Sequence, residues 1–354
     1  MTQSHSRLQQ WWYTNSVCCY GLLPLAWIYQ VLSAIRKWYW TKLKRPEVGE
    51  VPVIVVGNIA IGGTGKTPLL IALAKEFKLR GLKVGVISRG YGSRAPQYPF
   101  SVTAQTPVAQ SGDEALLIAR ESQCPVVIDP KRKRALAHLL AYTPCDVVLS
   151  DDGLQHYALA RTVEIAVIDG KRGMANGLCL PAGPLREKPA RLQAVDFVVI
   201  NGELSVPKTI PTPFFTMHLT SSTWRRVIDD KEVELARISA LDKVHAVTGI
   251  GNPQRFFQSL VGMNVDIVKH PFDDHHPFIF SDIKFSDNLP VVMTSKDAIK
   301  CQSLLQEAPI SLQEKHQYFY VPVDAKIPVQ LVEQLLQALP KPMTLSTQPT
   351  ETYS

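Results

Sequence analysis

VPVIVVGNIAIGGTGKTP, residues 51–68, opens with an apolar, β-branched run and closes on a glycine-rich turn that ends in Lys66 and Thr67. A buried strand feeding such a turn, with a helix behind it, is the layout of a phosphate-cradling loop. Backbone N–H groups of the turn and of the helix start face phosphate oxygens, the lysine reaches the β- and γ-phosphates, and the threonine hydroxyl sits on Mg²⁺. Gly62, Gly63, Thr64, Gly65, Lys66 and Thr67 are therefore the candidate nucleotide contacts, with Lys66 also serving the chemistry and Thr67 the metal. Ala60 stands where the usual pattern has its first glycine, and three of the four fixed positions remain. An ordinary glycine-rich turn explains the glycines but not a Gly-Lys-Thr directly after a strand. The chain is expected to handle a nucleoside triphosphate.

Outward from this stretch, strand-like runs alternate with helical ones. Residues 83–88, 125–128, 146–150, 163–169 and 197–201 read as strands, and 68–79, 113–122 and 132–142 as helices. This alternation predicts an α/β fold, a doubly wound and mostly parallel sheet of the P-loop NTPase type, with ligands beyond the carboxyl ends of the strands. The segment PKTIPTP, residues 207–213, breaks the pattern, and 214–220 with 224–235 reads as a β-hairpin. A second strand–helix series begins at Val244. The expected organisation is an N-terminal segment 1–45, a P-loop domain 46–212, a β-hairpin linker 213–237, a smaller α/β domain 238–340 and a polar tail 341–354.

With 354 residues, the chain can bury more than one core, and 45% hydrophobic with 19% charged residues is a globular composition. A net charge of +7 points to an anionic partner. No zinc spacing or basic–aromatic RNA motif favours nucleic acid. The six cysteines form no CxxC pair, and several lie in apolar runs, which suits a reducing compartment.

No charged side chain lies between Arg7 and Arg36, an interval rich in Trp, Tyr, Leu and Ile, and a basic cluster of Arg36, Lys37, Lys42, Lys44 and Arg45 follows. Polar residues dilute the interval and Pro24 interrupts it. Aromatics with flanking cations suit the headgroup boundary, so a helix lying on a membrane is expected in preference to a full span, and in preference to the plainer alternative of a helix docked on the domain core. Charges that follow the apolar part rather than precede it argue against a signal peptide.

Four further stretches carry chemistry. DVVLSDD, residues 146–152, is an apolar strand that ends in Asp151 and Asp152, where a P-loop protein places its metal-organising carboxylate; an Asp-Gly turn is the plainer alternative. Gln155 and His156 lie just beyond. Asp113 and Glu114 follow Ser-Gly and could simply open a helix, yet transfer to a hydroxyl needs a carboxylate to take the proton. Asp273, Asp274, His275 and His276 form the densest titratable cluster; orientation or proton relay by one histidine suits it better than a metal site, which lacks a second ligand group at suitable spacing, and by itself the cluster reads as a solvated loop. Arg89 in SRGYG could grip a phosphate, and LPAGPLRE, which holds Arg186, reads as a rigid loop at a strand–helix junction; taken alone, both are ordinary turns.

Together, VPVIVVGNIAIGGTGKTP, VGVISRGYG, SGDEALLI, DDGLQHYALAR, EIAVIDG, LPAGPLRE, GIGNPQRFF, DDHHPF and TSKDAIKC resemble the tetraacyldisaccharide 4′-kinases of lipid A synthesis, in order and over nearly the whole chain. The resemblance implies transfer of the γ-phosphoryl group of ATP, with Mg²⁺, to the 4′-hydroxyl of tetraacyldisaccharide 1-phosphate, giving lipid IVA. The setting it implies is the cytoplasmic face of a bacterial inner membrane, with the protein peripheral or monotopic and no obligate protein partner. It further implies that Asp113 is the general base, with His275 its partner from the second domain. Asp151, Asp152 and Glu114 would organise the metal. Arg89, Tyr91, Arg132, Gln155, His156, Arg186 and Glu187 would line the substrate sites. The choice of His275 over His276 follows the family pattern. Two departures stand out: Ser295 replaces the usual glutamate of TEKDA, and Asp273 replaces the usual residue before the Asp-His pair. A membrane-associated ATPase of the deviant Walker type is the competing reading, and Ile61 stands where those proteins carry a lysine.

Overall fold

The computed structural model describes residues 11–14, 16–44, 46–47, 49–205, 210, 212–221, 223–234 and 243–340. Eight strands follow one another first: β1 (Val53–Gly57), β2 (Val84–Ser88), β3 (Phe100–Val102), β4 (Val126–Ile128), β5 (Val147–Asp151), β6 (Val163–Asp169), β7 (Phe197–Asn201) and β8 (Phe215–Thr220). Six more make a second series: β9 (Trp224–Arg226), β10 (Glu232–Val233), β11 (Lys243–Thr248), β12 (Asp266–Pro271), β13 (Val291–Thr294) and β14 (Tyr318–Val321). A last strand, β15, spans Asp324–Lys326. The longer helices are α1 (Leu23–Trp38), α2 (Lys66–Leu79), α3 (Asp113–Ser122), α4 (Arg132–Tyr142), α5 (Pro253–Val261), α6 (Ser295–Glu307) and α7 (Val329–Ala338).

The larger lobe is a nine-stranded sheet in the order β15-β8-β7-β6-β1-β5-β2-β4-β3. Its seven central strands are parallel, and β3 and β15 run antiparallel at the two edges. β1 sits between β5 and β6, and all five of its residues are buried. Alternate side chains go to opposite faces. Ile54 and Val56 join Leu69, Leu73 and Phe77 of α2 and Leu116 of α3, while Val53 and Val55 join Ala135 and Leu139 of α4. A strand covered on both faces reads as an unbroken apolar run, which is why 51–56 shows no period of two.

The smaller lobe is a six-stranded sheet, β10-β9-β14-β13-β11-β12, with β11 to β14 parallel and a β9–β10 hairpin on its edge. Trp224, Phe257 and Phe319 fill one side of it, and Met293, Cys301 and Leu305 the other. All six cysteines are free, four of them buried.

Three expectations change. Residues 214–220 and 224–235 do not pair with each other: β8 joins the larger sheet and β9 the smaller one, and the hairpin lies wholly within β9 and β10. The smaller lobe ends with β14, not at residue 340. β15 pairs with β8 (Asp324 opposite Thr220), and Leu331, Val332 and Leu335 of α7 pack into the core of the larger lobe. Pro24 does not break the N-terminal helix, because it occupies the first turn of α1, where its missing N–H has no partner to lose. The tail 341–354 lies outside the described residues.

α1 belongs to a helical stretch of 27 residues, Val17–Leu43, with an 18-residue window of mean hydropathy 1.5. Ala26 is buried, and Tyr29 Oη donates to the Arg186 carbonyl at 3.1 Å, which seats one face on the larger lobe. Trp27, Ile28, Val31, Leu32, Ile35 and Trp38 are exposed.

Candidate active site

The carboxyl ends of β1, β5 and β2 in one lobe and of β11 and β13 in the other open into a single cleft of about 820 Å³. The loop after β1 forms its floor. Gly62 and Gly65 have φ of 104° and 95°, and Gly65 caps the start of α2. Only glycine adopts these angles without strain. A Cβ on Gly65 would lie 2.4 Å from Asn201 Nδ2. Asn201 Nδ2 in turn donates to the Thr64 carbonyl at 3.0 Å, and Asn58 Nδ2 donates to Thr64 Oγ1 at 3.3 Å. The N–H groups at the start of α2 therefore face the cleft within a braced loop.

β5 delivers Asp151 and Asp152 beside this loop. Asp151 is 1% exposed, and Ser88 Oγ donates to its Oδ2 at 3.3 Å, while Oδ1 has no hydrogen-bond partner. Burial, then the Glu114 and Asp152 charges, push its carboxyl up to about 7. Asp152 takes a left-handed φ of 46°, which turns its side chain toward cations. Arg186 Nη1 donates to both of its oxygens, at 3.1 and 3.0 Å, and Lys66 Nζ lies 3.6 Å away. Burial works to raise this carboxyl, and Lys66 with Arg186 overrides it, leaving it below the ordinary value. Arg132 Nη2 donates to the Asp151 carbonyl at 2.9 Å, while its Nε is buried without a partner. Burial brings that guanidinium down to about 10. His156 is pushed down to about 4 by burial and the guanidiniums of Arg132 and Arg36, so it is neutral near pH 7.

Across the cleft, His275 Nδ1 donates to Asp113 Oδ2 at 3.1 Å. His275 has a left-handed φ of 61°, and its ring lies against Tyr91 with centroids 4.9 Å apart. Non-glycine residues held at positive φ cluster at functional sites. Burial raises the Asp113 carboxyl, but the His275 hydrogen bond, with Lys296 and Lys300, holds it well below the usual carboxylate range. His276 turns away to Asp282, 3.0 Å from its Nε2.

Gly62 to Thr67, Arg89, Tyr91, Glu114, Arg132, Asp151, Asp152, Gln155, His156, Arg186 and His275 all line the cleft. Asp113 and Glu187 do not. Asp113 lies 7% exposed behind His275. Glu187 sits beneath α1, accepting from Gln155 Nε2 at 2.9 Å and from Tyr157 Oη at 2.5 Å. Of the two departures, Ser295 lies in the cleft lining with its Oγ directed at the Val321 carbonyl, 3.5 Å away, and Asp273 is exposed. Among the described residues, no group of three or more His, Cys, Asp or Glu side chains is arranged to hold a metal ion.

The sequence reading left out Asn201, Arg255 and Lys296, which line the cleft, and Lys300 behind it. Arg255 Nη2 donates to Asn201 Oδ1 at 2.7 Å and so braces the glycine-rich loop from the other lobe. The signal for the lysines was present: 296 and 300 are four apart and share one face of a helix.

The profile of the family described as tetraacyldisaccharide-1-P 4′-kinase matches residues 19–340. The tetraacyldisaccharide 4′-kinase of Hahella chejuensis is 45% identical over 325 residues, 89% of this chain and 95% of that protein. Its counterpart in Nitrosococcus oceani is 41% identical over 352 residues, 98% and 99% of the two chains. A solved structure of LpxK from Aquifex aeolicus in complex with ATP has the same fold, with a TM-score of 0.71 at 24% identity, covering 91% of this chain and 99% of that one.

Proposed function

The chain belongs to the tetraacyldisaccharide-1-P 4′-kinase family, and from that premise we propose that it transfers the γ-phosphoryl group of ATP to the 4′-hydroxyl of a tetraacylated glucosamine disaccharide 1-phosphate. The observation that carries this reading is one cleft lined both by a phosphate-cradling loop ending in Lys66 and Thr67 and by His275, with Asp113 hydrogen-bonded behind that histidine.

In this reading the loop amides and Lys66 hold the β- and γ-phosphates. Arg89, Arg132 and Arg186, with Tyr91, Gln155 and neutral His156, hold the acceptor on the side toward α1. The 4′-oxygen forms a bond to the γ-phosphorus, the bond from that phosphorus to the β–γ bridging oxygen breaks, and its electron pair leaves with ADP. Asp113 takes the hydroxyl proton, and His275 orients its carboxylate. Positioning and charge neutralisation do most of the work in such a transfer. Drawing the base's partner from the opposite lobe ties chemistry to a closed cleft, which limits hydrolysis.

The donors here are hard oxygens of the kind a divalent cation takes, and their side chains are not already gathered into a three-ligand group. Asp151 offers a buried oxygen without a hydrogen bond, and Thr67, Asp152 and Glu114 are hard oxygen ligands nearby. These residues would hold Mg²⁺, whose chemistry would be to neutralise phosphate charge.

The exposed apolar face of α1, with Lys42 and Lys44 beyond it, suits a helix lying in the headgroup region. ATP and an acylated acceptor meet at the cytoplasmic face of the inner membrane, so the protein belongs there as a peripheral or monotopic enzyme.

Purified protein incubated with γ-labelled ATP, Mg²⁺ and the disaccharide lipid is expected to place label in the lipid. Release of labelled phosphate to water with an unlabelled lipid would overturn the assignment.

A further inference from the structure

TSKDAIKC, residues 294–301, contains two lysines that the transfer scheme leaves without a role. β13 ends at Thr294 and α6 starts at Ser295, with Thr294 Oγ1 accepting from the Asp297 amide at 3.3 Å. The cap fixes the first turn of the helix and so aims Lys296 across the cleft. Its Nζ lies 2.5 Å from Glu114 Oε1. Lys300, one turn further on, reaches Asp113 Oδ2 at 3.7 Å.

The two lysines differ in one respect. Lys296 lines the cleft along with Lys66, Thr67 and Glu114, whereas Lys300 lies behind it. A plain strut between lobes would not need Lys296. The α3–α6 contact is already made by Arg120 Nη1 donating to Gln302 Oε1 at 3.0 Å, and by Ile299, which packs into the core of the larger lobe. On the larger lobe, Lys66 and Arg186 are both drawn to Asp152, and Arg132 is bonded to the Asp151 carbonyl. Among the described residues, two cations of the smaller lobe line the cleft: Arg255 is tied to Asn201 and Asp169, and Lys296 is the one that reaches Glu114.

We propose that Lys296 is the cation which the smaller lobe delivers to the transferring phosphoryl group, with Glu114 as its resting partner. The proposal rests on the kinase reading above. Glu114 holds the ammonium at the cleft until the nucleotide is bound, and Lys296 then turns its ammonium to the γ-phosphoryl oxygens. A lysine suits this exchange, because its charge is compact and rides on a flexible four-carbon stem. Charge on those oxygens is what a cation supplied from a facing element stabilises during phosphoryl transfer. Lys296 donates hydrogen bonds only; the proton of the acceptor still goes to Asp113, and the bonding electron pair still leaves with ADP.

The test compares wild type, Lys296→Met and Lys296→Arg in three measurements. Calorimetry with Mg²⁺ compares ADP with a non-hydrolysable ATP analogue, and labelled ATP follows transfer to the lipid. Lys296→Met is expected to bind ADP within about twofold of wild type, to bind the triphosphate analogue roughly tenfold more weakly, and to lose on the order of 10³ in kcat. Lys296→Arg is expected to recover most of both losses. Equal affinities of Lys296→Met and wild type for the triphosphate analogue would overturn the proposal, as would wild-type transfer by that variant. A lowered melting temperature with ADP and the analogue weakened alike, and no recovery in Lys296→Arg, would also overturn it in favour of a strut. Failure of the wild-type protein itself to label the lipid sinks the kinase reading instead, so the two failures are told apart.

Discussion

His275 Nδ1 donates to Asp113 Oδ2 at 3.1 Å, and the two residues belong to opposite lobes. The Asp113 carboxylate raises His275 above its ordinary value of 6.5, first through that hydrogen bond and against the effect of burial. In the unfolded chain the imidazole loses this partner. The contact therefore adds stability in full below about pH 6.5, and the gain fades as pH climbs through the raised folded value. An NMR titration should place the His275 transition above 6.5 in wild type and lower in Asp113→Asn. An unshifted His275 in the wild-type protein would contradict a formed pair.

Replacing Asp113 by Asn is expected to remove the proton acceptor without touching a phosphate. We predict a loss of about 10²–10⁴ in kcat with ATP affinity nearly intact. Lys66→Ala is expected to weaken nucleotide affinity and turnover together. The pair of variants separates chemistry from binding, and an Asp113→Asn protein that no longer binds ATP would refute the assignment of Asp113 as base.

Gly65→Ala forces a Cβ to within 2.4 Å of Asn201 Nδ2 at a φ of 95°. Strain at such a backbone position costs about 1–3 kcal/mol. Thermal unfolding should show a clear drop in melting temperature, and nucleotide binding should weaken because the loop amides shift. Gly63→Ala has nothing within 4 Å of its added methyl and serves as the control for the melting temperature.

The outward face of α1 can be made polar without touching its seat on the larger lobe. Trp27→Ser, Leu32→Ser and Ile35→Ser combined remove three exposed apolar side chains, while Ala26 and Tyr29 stay in place. Sedimentation with anionic vesicles is expected to fall by more than about 10²-fold, given roughly 1.5–3 kcal/mol for each large apolar side chain buried. The melting temperature in the absence of lipid should stay close to wild type. Unchanged sedimentation would rule out this face as the membrane contact.

The loop 58–67 and its flanking elements were legible because a Gly-Lys-Thr placed directly behind a buried parallel strand is seldom anything but a phosphate loop. Asp151 and Asp152 were legible as the end of an apolar strand. The partners of β8 and β9 were not. Two β-like runs three residues apart suggest a hairpin, yet each has a partner far away in sequence, β8 in β15 and β9 in β14, and local spacing carries no information about those. β15 was missed because a three-residue edge strand with two charged residues shows no apolar pattern. Lys296 and Arg255 were missed for a different reason: their place in the cleft depends on how one lobe meets the other, which no helical period encodes.

The polypeptide leaves the nine-stranded sheet after Thr220 and re-enters it at Asp324, and these two residues sit side by side in adjacent strands. The smaller lobe thus hangs from twin straps at one point on the rim. With both connections at one place and Ile299 of α6 seated in the core of the larger lobe, the smaller lobe presents one fixed set of residues to the glycine-rich loop. That alignment is built into the order in which the strands are threaded.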